Sequence, residues 1–267
     1  MEFLQKAKKS LGQNFLIDNN IINKIIEIGN INKDKTVMEI GAGYGNLTKA
    51  IISKDPKKVF AVEKDKKLAS LLEKKFKDYN NLKIINRDIL DVIEEKNLEK
   101  NIIVFGNLPY NISTKILASL ILLRNWPPWY DVLILMFQKE VADRILANTS
   151  EKQYGRLSIL CSWKMNIKKI KEVSPNSFYP SPKVKSTILL FEPKKNFFQI
   201  KNPQNLEFVT STFFGQKRKM IKKPLKTIFN NIDKISNKLK INTNERPQNL
   251  SPYVYFQICK EYEDLFF

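Results

Sequence analysis

Three of the chain's eight glycines fall within five residues, at Gly41, Gly43 and Gly45. They lie between a strand-like run, Thr36-Val37-Met38-Glu39-Ile40, and helix-compatible sequence beginning at Asn46. Alternate glycines let a backbone turn tightly and approach a ligand with no Cβ in the way. A second strand-like run, Lys58–Val62, ends in Glu63, 22 residues after Gly41. A carboxylate at that spacing can accept both hydroxyls of a ribose. Strand, glycine turn, helix, strand and acid, in that order, describe a nucleoside-binding βαβ unit. A dinucleotide fingerprint carries glycine or alanine at the sixth position, where helix and strand close around a pyrophosphate. Asn46 stands there instead, which favours a ligand without a pyrophosphate.

The pattern continues. Strand-like runs recur at Leu82–Ile85, Ile103–Phe105, Val132–Phe137 and Ser186–Phe191, with helical spacing at Leu68–Phe76, Ser113–Leu123 and Lys139–Leu146. This alternation predicts an α/β fold around a mainly parallel sheet. In such sheets ligands sit outside the carboxyl ends of the strands. Gly41, Glu63, Asp88 and Asn107 each close one of four successive strands, so they should line one crevice. Asp88 could accept the amino group of a bound adenine or cap the helix that follows, and the local sequence leaves both open. Beyond Phe105 the chain reads Gly106-Asn107-Leu108-Pro109-Tyr110. Pro109 fixes its own φ, lacks an N–H and pushes Leu108 towards extended geometry. The turn should therefore display the Asn107 amide, outward carbonyls and the Tyr110 ring, a set that suits an amino-bearing planar ring. Phe178-Tyr179-Pro180-Ser181-Pro182 is a Pro-stiffened loop, in which Phe178 could stack on a base or pack beneath the loop.

Composition narrows the chemistry. The chain of 267 residues has no histidine, and its two cysteines, Cys161 and Cys259, have no metal-ligand spacing. Histidine-based acid–base chemistry and the usual zinc sites are excluded, so no metal is expected, and both thiols read as buried and inert. A net charge of +19 points to a polyanionic partner, nucleic acid first. The longest apolar run, near Ile116–Leu123, is far short of the roughly 20 residues that span a bilayer. The stretch MEFLQKAKKSLGQNF lacks the apolar core of a signal peptide. A cytoplasmic chain without membrane association is expected, as a monomer. Asp18 should cap a helix carrying Ile21, Ile22, Ile25, Ile26 and Ile28, behind a basic start with Lys6, Lys8 and Lys9. Composition shifts at Glu192-Pro193-Lys194-Lys195, and sequence beyond about 200 reads as helices only. Two domains follow: 1–200, and a small all-α domain at 201–267. In the second, Lys217, Arg218, Lys219, Lys222 and Lys223 put five cations in seven residues beside Gly215, which fits phosphate contacts.

The glycine turn resembles the S-adenosylmethionine site of Rossmann-like methyltransferases. Asn-Leu-Pro-Tyr resembles the (Asn/Asp)-Pro-Pro-Tyr type of motif in adenine amino-methyltransferases. With GQNFL, EIGAGYGNLT, NRD, GNLPYNIST, FQKEVADRI, YGRLSI, FYPSPKVKS and ERPQNLSP, the similarity runs over nearly the whole chain. Together these motifs resemble the small-subunit rRNA adenine dimethyltransferase family. The resemblance implies a Rossmann-like methyltransferase domain and dimethylation of the N6 atoms of two adjacent adenosines near the 3′ end of 16S rRNA. The substrate would be the small ribosomal subunit or an assembly intermediate. It implies that Asn14, Leu16, Gly41, Glu63, Asp88 and Asn107 contact S-adenosylmethionine. Asn107, the carbonyls of the Leu108-Pro109 turn, Tyr110 and Phe178 would hold the target adenine. Lys64 departs from the pattern, since an apolar residue often covers the cofactor adenine there. Two rival readings remain: a DNA adenine N6-methyltransferase, and a ribosome-assembly or transcription factor that kept the fold without transfer.

Overall fold

The computed structural model describes residues 12–95 and 99–266. Lys6, Lys8 and Lys9 lie outside them. Nine strands form among the described residues: β1 (Phe15–Leu16), β2 (Thr36–Ile40), β3 (Lys58–Val62), β4 (Leu82–Ile85), β5 (Ile102–Asn107), β6 (Tyr130–Gln138), β7 (Met165–Val173), β8 (Phe178–Tyr179) and β9 (Ser186–Pro193). Seven make one sheet in the order β4-β3-β2-β5-β6-β9-β7. Strands β4, β3, β2, β5 and β6 pair in parallel, and β9 is antiparallel to β6. The strand order reverses between β2 and β5, which creates the switch point where ligands bind in such sheets. β1 and β8 form a separate two-stranded ladder.

Local sequence explains the elements. Asp18 caps the helix Asn19–Gly29, its carboxylate accepting the N–H groups of Asn20 and Ile21. Ile21, Ile22, Ile25 and Ile26 on that helix are buried in a core with Val37, Ile103, Phe105 and Ile134 of the sheet. Every residue of β2 is buried, as a central parallel strand covered on both faces requires. That burial extends to Glu39, whose carboxylate accepts a hydrogen bond from the Thr48 hydroxyl.

By contacts the chain divides into two compact units. The first holds the chain up to Leu120, Pro127–Ala142 and Ile167–Pro193; the second holds Ile121–Trp126, Asp143–Asn166 and the chain from Lys194 onward. The second unit thus contains segments that a boundary at residue 200 assigns to the first domain. Its helix Arg156–Lys164 packs on the helices Pro203–Phe214 and Pro252–Phe266, which supply its apolar partners. Glu263, fully buried on the last helix, accepts the backbone N–H groups of Lys201 and Asn202 and the Asn205 amide. Lys164 is 2% exposed. Its ammonium lies 4.6, 4.3 and 5.5 Å from the rings of Trp126, Trp163 and Phe197 and donates to the Leu123 carbonyl. Burial depresses the Lys164 pKa to about 8. Cys161 and Cys259 are buried, and burial pushes both thiols up, which keeps them protonated.

Burial raises the Glu39 pKa to about 8. Between pH 4.5, its ordinary value, and about 8 the folded chain holds a proton there that the unfolded chain has lost. Stability therefore falls as pH rises through that window. Glu39→Gln keeps an acceptor for Thr48 and carries no charge. Its melting temperature should match the parent near pH 4.5 and exceed it by several degrees at pH 8, by differential scanning calorimetry.

Candidate active site

A cleft of about 180 Å³ opens at the carboxyl ends of β2, β3, β4 and β5. Gly41, Glu63, Asp88 and Asn107 all line it, as the strand-end argument requires, together with Asn14, Leu108, Pro109 and Tyr110. Gly41, Gly43 and Gly45 all have φ between 58° and 77°, the left-handed region that glycine adopts without strain. A Cβ at Gly43 would come 2.8 Å from the Phe15 ring, which also lines the cleft. The loop is therefore closed on one side by β1.

Glu63 is 7% exposed and is held from two sides. Its Oε2 accepts the Gly43 N–H at 2.9 Å and its Oε1 the Asp65 N–H at 2.8 Å. Both oxygens keep a further lone pair, so the carboxylate can still receive two hydroxyls. Burial outweighs these bonds and raises the Glu63 pKa above the ordinary carboxylate value.

Asp88 takes the helix-capping role that its sequence position allowed. Its Oδ1 caps the helix Ile89–Ile93 by accepting the Leu90 N–H at 3.0 Å. Its Oδ2 pairs with Lys64 Nζ at 2.7 Å. Although burial alone would raise it, hydrogen bonds from Lys64 and Leu90 leave the Asp88 pKa below the ordinary value. Lys64 thus acts through its ammonium on Asp88.

The Asn-Leu-Pro-Tyr turn is fixed by four contacts. Asn107 Nδ2 donates to the Asn14 carbonyl at 2.7 Å. A carbonyl only accepts, so the nitrogen of the amide must face Asn14 and Oδ1 is left as the acceptor. Leu108 is buried, and a Cβ at Gly106 would meet its side chain at 2.7 Å, so glycine lets the turn fold back on the strand. The Pro109 carbonyl accepts the Ile112 N–H and the Tyr110 carbonyl accepts the Ser113 hydroxyl. Leu108 and Pro109 line the cleft beside Tyr110. The half-buried Tyr110 hydroxyl hydrogen-bonds Ser186 Oγ at 2.6 Å, which pins the ring.

Leu16 lines a small pocket adjoining the cleft with Gly41, Gly43 and Asn107, its side chain in the core and its carbonyl accepting Asn46 Nδ2 at 2.8 Å. Phe178, opposite Leu16 in the β1–β8 ladder, is 2% exposed in the same core. It packs beneath its loop and displays no face for stacking. In the second unit, Arg218, Lys219, Lys222 and Lys223 are exposed. Lys217 turns inward, donating to the carbonyls of Lys152 and Tyr154 at 2.8 Å each. Sequence reading missed Phe15, Asn46 and Ser186 as parts of the site. Each lies in a quoted motif, but only the tertiary contacts give it a task.

Residues 4–264 match the family described as "Ribosomal RNA adenine dimethylase". The chain belongs to that family. It is 55% identical over 260 residues to ribosomal RNA small subunit methyltransferase A of Pelagibacter ubique (strain HTCC1062), covering 97% of this chain and 98% of the relative. The protein of the same name from Wolbachia sp. subsp. Brugia malayi (strain TRS) is 38% identical, covering 94% and 95%. The crystal structure of a dimethyladenosine transferase from Plasmodium falciparum superposes with a TM-score of 0.76 at 27% identity, covering 94% of this chain and 98% of that one. The 23S rRNA methyltransferase ErmE, 20% identical with a TM-score of 0.68, shares the fold. The family found is the one that the motifs resemble. This family member is an rRNA adenine dimethyltransferase of Rossmann-like fold that depends on S-adenosylmethionine. Among the described residues, no helix is long and apolar enough to cross a membrane, and no cluster of three His, Cys, Asp or Glu could hold a metal ion.

The raised pKa of Glu63 gives a signed expectation. A protonated carboxyl loses one acceptor, so affinity for S-adenosylhomocysteine should fall as pH drops through that pKa. Glu63→Gln cannot accept both backbone N–H groups. It should bind about tenfold more weakly near pH 8 and lose the acid-side decline, by calorimetric titration between about pH 5 and 8.

Proposed function

We propose that this chain dimethylates the N6 atoms of two adjacent adenosines near the 3′ end of 16S rRNA. Its substrate is the small ribosomal subunit or an assembly intermediate, and it works as a cytoplasmic monomer. One observation carries the reading: two carboxylates, Glu63 and Asp88, share a cleft with the oriented Asn107 amide and the Tyr110 ring. Family membership supports the same reaction.

The donor set of the cleft fits S-adenosylmethionine. Glu63 would take the ribose hydroxyls, Asp88 the adenine amino group, and the turn at Gly41 and Gly43 admits close approach of the ligand. When bound, the cofactor supplies a methyl group on a positively charged sulfur. The remaining work falls to the target side. An adenine must leave its stack to enter, at a cost of a few kcal/mol that is least in single-stranded RNA. Stacking on Tyr110 recovers on the order of 1–3 kcal/mol. The N6 lone pair is delocalised into the ring, so N6 is a weak nucleophile. Asn107 Oδ1 and the Leu108 carbonyl accept its two hydrogens and favour a tetrahedral nitrogen with its lone pair directed at the methyl group. Transfer would form the C–N bond as the C–S bond breaks, with the surplus proton released to solvent. Positioning supplies most of the rate. For the second methylation a single hydrogen remains, and one acceptor suffices.

The deciding experiment is transfer from labelled S-adenosylmethionine to small ribosomal subunits lacking the modification, with nucleoside analysis. Dimethyladenosine in the 16S rRNA is expected. Tight subunit binding without transfer would replace this reading with a non-catalytic assembly factor, and transfer to DNA alone with a DNA methyltransferase. Asn107→Ala should lower the transfer rate by at least about a hundredfold while its melting temperature stays within a few degrees of the parent.

The basic run of the second unit divides by role. Lys217→Ala removes two carbonyl contacts and should cost about 1 kcal/mol of stability in urea unfolding, with subunit affinity at moderate salt little changed. The pair Arg218→Ala and Lys219→Ala should leave stability intact. It should weaken subunit binding and flatten its salt dependence by about 1.4 to 1.8 units of slope.

A further inference from the structure

The β1–β8 ladder sets Phe15 opposite Tyr179 and Leu16 opposite Phe178. Opposed residues of an antiparallel pair project to one face, and successive residues to opposite faces. One face therefore carries Leu16 and Phe178 into the core. The other carries Phe15, which lines the cleft, and Tyr179, which is 48% exposed. Ile17, two residues on from Phe15, is exposed as well. Seven residues beyond Tyr179, Ser186 binds the Tyr110 hydroxyl. The segment 179–185 thus runs from the Phe15 wall of the cleft to the ring proposed to hold the target adenine. Along it Lys183, Val184 and Lys185 are exposed, and neither lysine forms an ion pair among the described residues.

An exposed aromatic ring between a catalytic cleft and two unpaired cations matches single-stranded nucleic acid, which offers a base face and a phosphate at every step. We infer that Tyr179, flanked by Lys183 and Lys185, is a stacking platform for the nucleotide adjoining the target adenosine. This rests on the RNA reading above. A second copy of this chain, with its own net charge of +19, would leave the two lysines without counter-charge, and a base face is what the exposed ring adds to the match with a nucleic-acid strand. Since the proposed substrate contains adjacent adenosines, the neighbour is a purine, whose large face stacks well. The platform would hold the strand while one adenine is turned into the cleft.

The test is steady-state methylation of unmodified small subunits by Tyr179→Ala, Tyr179→Phe, Tyr179→Trp and the double variant Lys183→Ala/Lys185→Ala. Tyr179→Ala should raise KM for subunits about tenfold with kcat within about threefold, and leave S-adenosylhomocysteine affinity and melting temperature unchanged. Phe and Trp should restore KM, because stacking uses the ring face. The lysine pair should reduce the salt slope of subunit binding by about 1.4. An unchanged KM for Tyr179→Ala, or a loss that Phe and Trp fail to restore, overturns the inference. So does a parent chain that self-associates through this patch, seen as dissociation on Tyr179→Ala in analytical ultracentrifugation. If the parent methylates subunits and Tyr179→Ala equals it, this inference alone fails; if the parent transfers nothing, the functional reading fails first.

Discussion

One hydrogen bond, from the Asn107 amide to the carbonyl of Asn14, crosses 93 residues of chain and decides what the cleft can do. An amide can turn either end towards a ligand, and the two ends ask for opposite partners. With Nδ2 committed to a carbonyl, Oδ1 is the end available to a substrate, and the site becomes an acceptor of N–H groups. The supporting contacts follow from this. β1 must lie against the glycine loop for Asn14 to reach β5, and Phe15 packing over Gly43 sets that distance. Asn46 holds the Leu16 carbonyl and fastens the same strand from the helix side. The ladder with β8 and the Ser186 contact to Tyr110 complete the ring of attachments around the turn.

Two buried acids stand behind this arrangement at different cost. Glu63 has two backbone N–H partners and an opening to the cleft, so burial raises its pKa without taking away its use as an acceptor. Glu39 lies one strand away, has the Thr48 hydroxyl as partner and is sealed from solvent, so near neutrality it holds its proton. The proximity of the two carboxyl groups disfavours simultaneous ionisation, and the Glu63 charge contributes to raising Glu39. A fold that keeps an acid at the centre of its core strand gives up stability in the pH range where it works. This trade is common where a site is built into a sheet end.

The chain's sequence made the cleft legible because strand ends in a parallel sheet converge whatever the loops do. Gly41, Glu63, Asp88 and Asn107 could be placed together from spacing alone, and the helical character beyond residue 200 followed from periodicity. The misplacements share a different physical origin. Phe178 and Tyr179 are neighbours in sequence, and the register of a two-residue ladder decides which of them faces the core. Neither hydrophobicity nor spacing encodes that register over so short a run. Lys217 reads as one of five equivalent cations, yet two carbonyls at Lys152 and Tyr154 single it out. The helix Arg156–Lys164 belongs by packing to a unit whose other helices start near residue 200, a long-range pairing that no local window reports. Asp88 shows the reverse case: the local reading as a helix cap was right, and its other oxygen pairs with the Lys64 ammonium, a partner that no local window named.

The division of charge across the cleft fits the proposed chemistry. Carboxylates stand on the cofactor side, where Glu63 and Asp88 would face a ligand that carries a positive sulfur. On the target side the acceptors are neutral: an amide oxygen, a backbone carbonyl and a pinned phenol. A carboxylate beside N6 would stabilise the protonated, methylated amine and hold the product in place, and it would repel the phosphates of the incoming strand. Neutral acceptors shape the nitrogen lone pair and then let the base go, which a dimethylating site needs between its two turnovers. The absence of histidine costs such a site nothing, because its task is to aim a weak nucleophile and not to remove a proton in advance.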